Sequence, residues 1–181
     1  KNSKAYEVLT NLSSTKNNII LDFNYTASTR LVLKQCGLSD EDIDNRLIKV
    51  HGEASNNDII LGVEDNARIK KEHVFLRKAY NIKYKALNFS ELYDRIKSVA
   101  IFGHSLGETD HTYFNNLFQS SCIYNKFSPD NNKEFWLFYY KENGYHCMMQ
   151  QLDSLTNNKL TSFRQYNRVN LINTDKEKVF I

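Results

Sequence analysis

Residues 99–110 of this chain are Val99-Ala100-Ile101-Phe102-Gly103-His104-Ser105-Leu106-Gly107-Glu108-Thr109-Asp110. An apolar run of strand-forming residues stops at the first glycine, and polar residues follow at once. Open α/β sheets place functional groups in this way, at the carboxyl ends of buried strands. The segment also contains the pattern Gly-x-Ser-x-Gly around Ser105, which is typical of the nucleophile elbow of α/β hydrolases. The sequence therefore predicts either a polar sheet edge or a hydrolase elbow at this point.

Several other short apolar runs have the length of buried strands, and segments with helical periodicity separate them. The strand candidates are residues 19–23, 48–52, 58–62, 99–102 and 135–140, and a further short segment is expected near residues 169–172. The helix candidates run through residues 4–15, 31–33, 72–80, 92–96, 113–118 and 146–157, and residues 39–46 are expected to form a short helix or turn. Strands that alternate with helices predict a Rossmann-like α/β fold, in which a mainly parallel sheet is flanked by helices. We expect a single domain over residues 1–181, with residues 99–102 as its central strand.

The composition is that of a globular protein. Of the 181 residues, 41% are hydrophobic and 25% are charged, and no apolar run approaches the ~20 residues that span a bilayer. The chain opens on Lys1 rather than Met, so we expect it to be part of a longer protein. Cys36, Cys122 and Cys147 lack Cys-x-x-Cys spacing, which favours reduced thiols in a cytoplasmic protein. A net charge of +3 is too small to indicate nucleic-acid binding by itself.

Polar side chains stand where three of the predicted strands end. Asn24 follows the first strand, His51 closes the second, and His104 with Ser105 closes the strand at residues 99–102. The carboxyl ends of parallel strands lie along one edge of a sheet, so Asn24, His51 and Ser105 are expected to converge there. The alternative is that each of these residues belongs to a turn and satisfies the backbone groups beside it.

The hydrolase interpretation takes Ser105 as the nucleophile, with His146 as its base and Asp130 as the acid. A nucleophile elbow leads directly from the serine into a helix. Here Gly107 and Asp110 predict a loop and a later helix cap instead. The chain also lacks the second glycine-rich loop that completes the oxyanion hole of lipases, so a serine hydrolase is kept as an alternative.

A basic stretch that contains aromatic residues supplies another alternative. Its members are Arg68, Lys70, Lys71, Phe75, Arg77, Lys78, Tyr80, Lys83, Tyr84 and Lys85. Such a stretch suits a non-catalytic module that contacts phosphates and stacks on bases, but a solvated surface has the same composition and is the favoured interpretation. The glycine-rich phosphate loops and the metal-binding motif His-Glu-x-x-His are absent from the sequence, which therefore predicts no metal site.

Five short blocks of the sequence occur in the order and spacing of a known family. They are Phe23-Asn24-Tyr25-Thr26, His51-Gly52, Ile59-Ile60-Leu61-Gly62, residues 102–110 and Tyr113-Phe114. In this combination the chain resembles the bacteriophage abortive-infection family AbiH. The resemblance implies a phage-defence effector that responds to a phage-derived trigger. A non-catalytic module that recognises a phage component or nucleic acid through the basic stretch remains an alternative. Members usually begin with a strand and a Gly-Asn-Gly-Phe-Asp turn, so the resemblance implies a carboxyl-terminal portion that lacks its first glycine-rich βα unit.

The AbiH pattern is in turn similar, more distantly, to sirtuin-like domains that bind NAD and break its nicotinamide–ribose bond. This resemblance implies a hydrolase in which Asn24 orients a water or a ribose hydroxyl and His51 is the general base. It also implies ligand contacts by Tyr25, Thr26, Gly52, Gly103, His104, Ser105 and Asp110. Thr26 stands where those domains carry Asp, and the zinc cysteines of sirtuin deacylases are absent. A deacylase is therefore not expected, and NAD is expected as a substrate rather than as a bound cofactor.

Overall fold

The computed structural model divides the chain into two compact units. Unit 1 contains residues 1–85 and 179–181, and unit 2 contains residues 86–178. The residues that the structure describes are 3–15, 17–63, 67–80, 95–123 and 132–176. The single domain expected over residues 1–181 stays a prediction.

Unit 1 contains two parallel strands, β1 (Ile20–Asp22) and β2 (Leu47–Lys49). Its described α-helices are α1 (Lys4–Ser14), α2 (Ser28–Gln35) and α3 (Asp40–Arg46). Ile20 pairs with Leu47 and Asp22 with Lys49, so the two strands end side by side. The helices predicted at residues 4–15 and 31–33 and the strands predicted at residues 19–23 and 48–52 are therefore present.

Local sequence signals fix where the helices of unit 1 begin and end. The Ser3 hydroxyl accepts the Tyr6 N–H at 3.2 Å and the Ser39 hydroxyl accepts the Asp42 N–H at 3.1 Å, which caps α1 and α3. Gly37 follows α2 at a φ of +91°, a left-handed conformation that glycine adopts without strain. The core of this unit is formed by Leu33, Ile43 and Leu47, with Ile20 and Leu38 packed against it.

Two predictions for unit 1 are wrong, for reasons that are visible in the backbone. Residues 58–62 form no strand, because the Ile60 N–H donates to the His51 carbonyl at 2.9 Å and closes a loop. Residues 72–80 form two 3-10 segments, Lys71–Leu76 and Lys78–Tyr80, rather than an α-helix. The two segments are separated at Arg77, where an isolated parallel bridge to Val63 takes the backbone out of the helical path.

Unit 2 contains three parallel strands, β3 (Ser98–Ile101), β4 (Glu134–Tyr139) and β5 (Arg168–Asn173), in the order β3-β4-β5. Its described helices are α4 (His111–Ser120), α5 (Lys141–Leu155) and α6 (Leu160–Tyr166). The short segment expected near residues 169–172 is strand β5, and the helix predicted at 146–157 is present as the longer helix α5. Helix α6 was not predicted from the sequence.

Aromatic side chains form the core of unit 2. Phe118 of α4, Phe135 of β4 and Phe163 of α6 are fully buried, with ring centroids 4.7 to 5.5 Å apart. Edge-to-face and offset contacts of this kind stabilise a core beyond the area that they bury. Strand β4 lies between β3 and β5, so the expectation that residues 99–102 form the central strand is wrong for the three described strands.

The fold class is confirmed in its coarse form. The described strands of both units are parallel, helices connect them, and the chain is mixed α/β. The finer Rossmann-like arrangement stays a prediction. Cys36, Cys122 and Cys147 are free thiols, as expected. Among the described residues, no helix combines the length and the apolar character needed to cross a bilayer.

Candidate functional site

Two opposite charges meet where β1 and β2 end. Asp22 and Lys49 are paired residues of the ladder, and Lys49 Nζ lies 2.9 Å from Asp22 Oδ2. Only 3% of the Asp22 side chain and 17% of the Lys49 side chain are exposed. An ion pair this deeply buried offsets its desolvation only when its remaining polar groups are also hydrogen-bonded. The hydrogen bonds that the remaining polar atoms of Asp22 and Lys49 make are therefore needed to keep this buried pair stable.

The Lys49 ammonium also holds the loop that follows β1. Besides the Asp22 carboxylate, it donates to the backbone carbonyls of Asn24 and Thr26, the latter at 2.8 Å. An ammonium group has three protons, and these three acceptors use all of them. One side chain from the end of β2 thus fixes the backbone of the loop at residues 23–26.

The side chain of Asn24 is oriented by the same carboxylate. Asp22 Oδ1 accepts the Asn24 backbone N–H at 2.9 Å and the Asn24 Nδ2 group at 3.0 Å. A carboxylate is an acceptor only, so the amino end of the Asn24 amide must be the end that faces it. The carbonyl oxygen of the amide is then the end that an exposed Asn24 offers to a ligand. Asn24 is therefore set to accept a hydrogen bond from a hydroxyl or a water.

His51 is buried, with 5% of its surface exposed, and packs against the loop at residues 23–26. The Phe23 ring meets the imidazole edge-on, with centroids 5.3 Å apart at 76°. The Tyr25 ring stacks on it at 6.0 Å and 27°. Tyr25 is itself 38% exposed. One face of the His51 imidazole is therefore covered by a tyrosine that lies at the surface.

A tight turn follows His51 and returns the chain to the same loop. Gly52 has a φ of +73°, and a Cβ there would lie 2.1 Å from the Asp58 carbonyl oxygen, so only glycine fits. The Glu53 N–H donates to Asp58 Oδ1 at 2.6 Å. The Ala54 N–H donates to the Tyr25 carbonyl at 2.8 Å. The turn is therefore hydrogen-bonded directly to the residue that covers His51.

In unit 2, the loop after β3 is organised around His104. His104 Nδ1 accepts the Leu106 N–H at 2.9 Å, and Nε2 lies 3.3 Å from Asp110 Oδ2. Because Nδ1 is an acceptor, the ring proton sits on Nε2 and faces the carboxylate. Gly103 enters this loop at a φ of +65° and Leu106 is fully buried. Both ring nitrogens of His104 therefore serve to hold the loop.

This geometry does not favour the serine-hydrolase alternative. Ser105 lies in a loop, and helix α4 begins only at His111, whereas a nucleophile elbow joins strand to helix at the serine. The neighbouring imidazole of His104 has both nitrogens engaged. His146, the predicted base, lies on α5 with 63% of its side chain exposed and Glu142 at 3.8 Å. Asp130, the predicted acid, lies outside the described residues.

The basic stretch is not a continuous solvated stripe in the described part of the chain. Lys70 and Lys71 are exposed, but only 7% of Lys78 is exposed. Lys83 and Lys85 lie outside the described residues. The described basic residues therefore do not favour nucleic-acid binding. No group of three His, Cys, Asp or Glu residues suited to a metal ion occurs within the described ranges.

The predicted site residues fall into two sets. The set in unit 1 contains Asn24, Tyr25, Thr26, His51 and Gly52. The set in unit 2 contains Gly103, His104, Ser105 and Asp110. Hydrogen bonds and ring contacts connect the members of the first set, as described above. The convergence of Asn24 and His51 with Ser105 stays a prediction, because Ser105 belongs to the other unit.

Sequence reasoning missed Asp22 and Lys49, although the sequence carries a signal for both. Each charge interrupts an otherwise apolar run of strand length, the first in residues 19–23 and the second in residues 47–50. A single charge in a buried strand is costly, but two opposite charges at the same level of adjacent strands can pair. Recognising that pattern would have required the register of β1 against β2.

A family model described as bacteriophage abortive infection AbiH matches residues 1–127 of the 181-residue chain. The matched range contains every one of the predicted site residues in both sets. The chain matches none of the curated proteins and none of the solved structures.

Proposed function

We propose a nucleotide-directed reaction for this chain, which belongs to the bacteriophage abortive infection family AbiH. The family places the chain in phage abortive infection. The finer proposal is that it acts in the cytoplasm as a hydrolase that splits NAD or a related nucleotide after a phage-derived trigger. Loss of that metabolite would stop host growth before the phage completes its cycle.

The observation that carries this proposal is the fixed orientation of Asn24. Asp22 engages the amino end of the amide, which presents the carbonyl oxygen at the surface beside the loop that packs on His51. A fixed acceptor of this kind positions a water or a ribose hydroxyl through its proton. Positioning of a reactant in this way is a substantial part of the rate enhancement of many enzymes.

His51 is the group we assign to the proton transfer. An imidazole has an ordinary pKa near neutrality, which suits a general base. In the proposed step, water attacks the ribose carbon that carries nicotinamide, the bond to the nicotinamide nitrogen breaks, and that nitrogen keeps the electron pair. The proton of the attacking water passes to His51. Tyr25 covers one face of the imidazole, so the proposal requires the tyrosine to move when the ligand binds.

The residues of unit 2 enter the proposal as ligand contacts only. Gly103, His104 and Ser105 are assigned to the ribose and phosphate region by the sirtuin-like resemblance, and Asp110 is a further ligand contact. Because both nitrogens of His104 hold the loop, we assign His104 a structural part in that contact rather than proton transfer.

Growth arrest in infected cells tests the proposal. Cells that carry the intact protein are infected, and the protein is compared with the variants Asn24→Ala and His51→Ala. The matched control is His73→Ala, since His73 is an exposed histidine of the same unit. We expect both site variants to remain folded and lose growth arrest while the control retains it. Arrest that persists in a folded His51→Ala variant would remove the catalytic role of that residue.

A further inference from the structure

Glu53 is a buried carboxylate for which the proposed reaction has no role. Only 8% of its surface is exposed. It is the residue before the 3-10 segment Ala54–Asn56, yet its side chain makes no capping hydrogen bond to that segment. Its side chain is held by Ser55, whose hydroxyl donates to Glu53 Oε1. Glutamate is rarely buried to this degree unless it is paired, so this position calls for a partner.

Asp22 and Glu53, the buried carboxylates among the described residues of this unit, have different partners. Asp22 has the Lys49 ammonium at 2.9 Å and two further donors from Asn24. For Glu53, the described residues provide a neutral hydroxyl and no basic side chain in an ion pair. A carboxylate has about four acceptor positions, and one hydroxyl fills one of them. Glu53 therefore keeps acceptor capacity that the described part of the chain does not use.

Hydrogen bonds place Glu53 next to the residues already assigned to the ligand. Its own N–H donates to Asp58 Oδ1 at 2.6 Å, which fixes it in the turn that Gly52 makes possible. The next residue, Ala54, donates its N–H to the Tyr25 carbonyl at 2.8 Å. Tyr25 stacks on His51. One hydrogen bond and one ring contact thus connect the turn that carries Glu53 to the imidazole.

We propose that Glu53 is a further ligand-binding residue, whose carboxylate accepts a hydrogen bond from the 2′-hydroxyl of one ribose of the ligand. The proposal rests on the nucleotide substrate proposed above and adds the group that recognises its sugar. A hydroxyl is a neutral donor, so it satisfies a buried carboxylate without bringing a second charge into the turn. The Asp58 carboxylate accepts the Glu53 backbone N–H, so the same turn carries a second negative charge, and a neutral donor suits it better than a phosphate or another anion.

Binding of ADP-ribose to the intact protein tests this assignment, because ADP-ribose has no nicotinamide bond to hydrolyse. Titration calorimetry compares ADP-ribose with two analogues, each lacking the 2′-hydroxyl of one ribose. We expect the wild-type protein to bind one analogue about tenfold or more weakly, since a hydrogen bond to a charged acceptor is lost. Equal affinity of the wild-type protein for all three compounds would overturn the proposal without any variant.

The variant Glu53→Gln keeps the size of the side chain and an oxygen that can accept the Ser55 hydroxyl. We expect it to bind ADP-ribose about tenfold or more weakly and to lose discrimination against the analogue. The matched control is Glu41→Gln, an exposed glutamate of the same unit, which should bind as the wild type does. A folded Glu53→Gln variant that binds and discriminates like the wild type would overturn this inference alone. Failure of the wild-type protein to bind either ADP-ribose or NAD would overturn the proposed function as well.

Discussion

Lys49 Nζ lies 2.9 Å from Asp22 Oδ2, at the level where the two paired strands of unit 1 end. The ammonium also reaches two carbonyls of the loop after β1, and the carboxylate reaches the backbone and side chain of Asn24. One ion pair therefore joins the sheet to the loop that carries Asn24 and Tyr25. If the loop forms the proposed site, this pair holds it in place.

Removal of the Lys49 charge should destabilise unit 1 strongly. The variant Lys49→Met leaves the Asp22 carboxylate buried without its counter-ion, which costs about 3 kcal/mol in comparable cases. Urea unfolding of the two proteins measures the difference. The control is Lys4→Met, which breaks a pair with Glu7 that is 37% and 43% exposed and should change stability by less than about 1 kcal/mol. Equal losses of unfolding free energy in Lys49→Met and Lys4→Met would show that the buried pair stabilises the fold no more than the exposed pair does.

Two glycines with similar backbone angles should differ sharply when replaced by alanine. Gly52 and Gly103 have φ values of +73° and +65°. A Cβ at Gly52 would meet the Asp58 carbonyl oxygen at 2.1 Å, whereas nothing lies within 4 Å of one at Gly103. We expect Gly103→Ala to cost about 1 kcal/mol from backbone strain alone. Gly52→Ala should lower the free energy of unfolding by more than about 3 kcal/mol. Similar losses for the two variants in thermal unfolding would contradict the close contact between a Cβ at residue 52 and the Asp58 carbonyl oxygen.

The Ser39 cap of α3 should lower the pKa that Asp42 shows in a titration. A hydrogen bond from the Ser39 side chain is the main cause that holds the pKa of Asp42 below its usual range. A carboxyl group whose pKa is lowered by folding stabilises the folded state at pH values above its unfolded pKa of ~4. This stabilisation is lost as the pH falls through the pKa of the folded state. Ser39→Ala should therefore raise the pKa of Asp42 in an NMR titration, and the stability difference should narrow below about pH 4. Ser14→Ala, which changes an exposed serine of α1, should leave Asp42 unaffected.

Tyr25 should control the accessibility of His51. The variant Tyr25→Ala removes the ring stacked on the imidazole, so His51 should react faster with diethyl pyrocarbonate. Tyr25→Phe keeps the ring and should leave the rate unchanged. Exposed His73 serves as the internal reference, since it should react at the same rate in all three proteins. A His51 rate that does not respond to Tyr25→Ala would show that the tyrosine is not the barrier.

The sequence alone predicted those elements whose signals come from residues close together in the chain. Helix α1 begins at the Ser3 cap and α2 ends before Gly37, and both features depend on residues within one turn of the helix. Strand β4 follows from the continuous apolar residues that a buried strand requires. The family followed from the order of several short blocks, and the model match over residues 1–127 confirms it.

The sequence was not sufficient where one segment depends on another. Residues 58–62 are as apolar as a strand, but the Ile60 N–H is used by the His51 carbonyl across the Gly52 turn. The roles of Asp22 and Lys49 depend on strand register, which no local pattern contains. Glu53 is similar to many surface glutamates in sequence, and only its burial in the folded turn distinguishes it.

Release of nicotinamide from NAD by the intact protein, with phage lysate present, tests the central proposal most directly. The protein is measured beside Asn24→Ala, His51→Ala and the control His73→Ala, after circular dichroism shows that each variant is folded. The account predicts release that falls by about a hundredfold or more in His51→Ala, as expected when a general base is lost, and falls clearly in Asn24→Ala. The control should retain the wild-type rate. Absence of release from the wild-type protein, or release that both site variants retain, would contradict the proposed function.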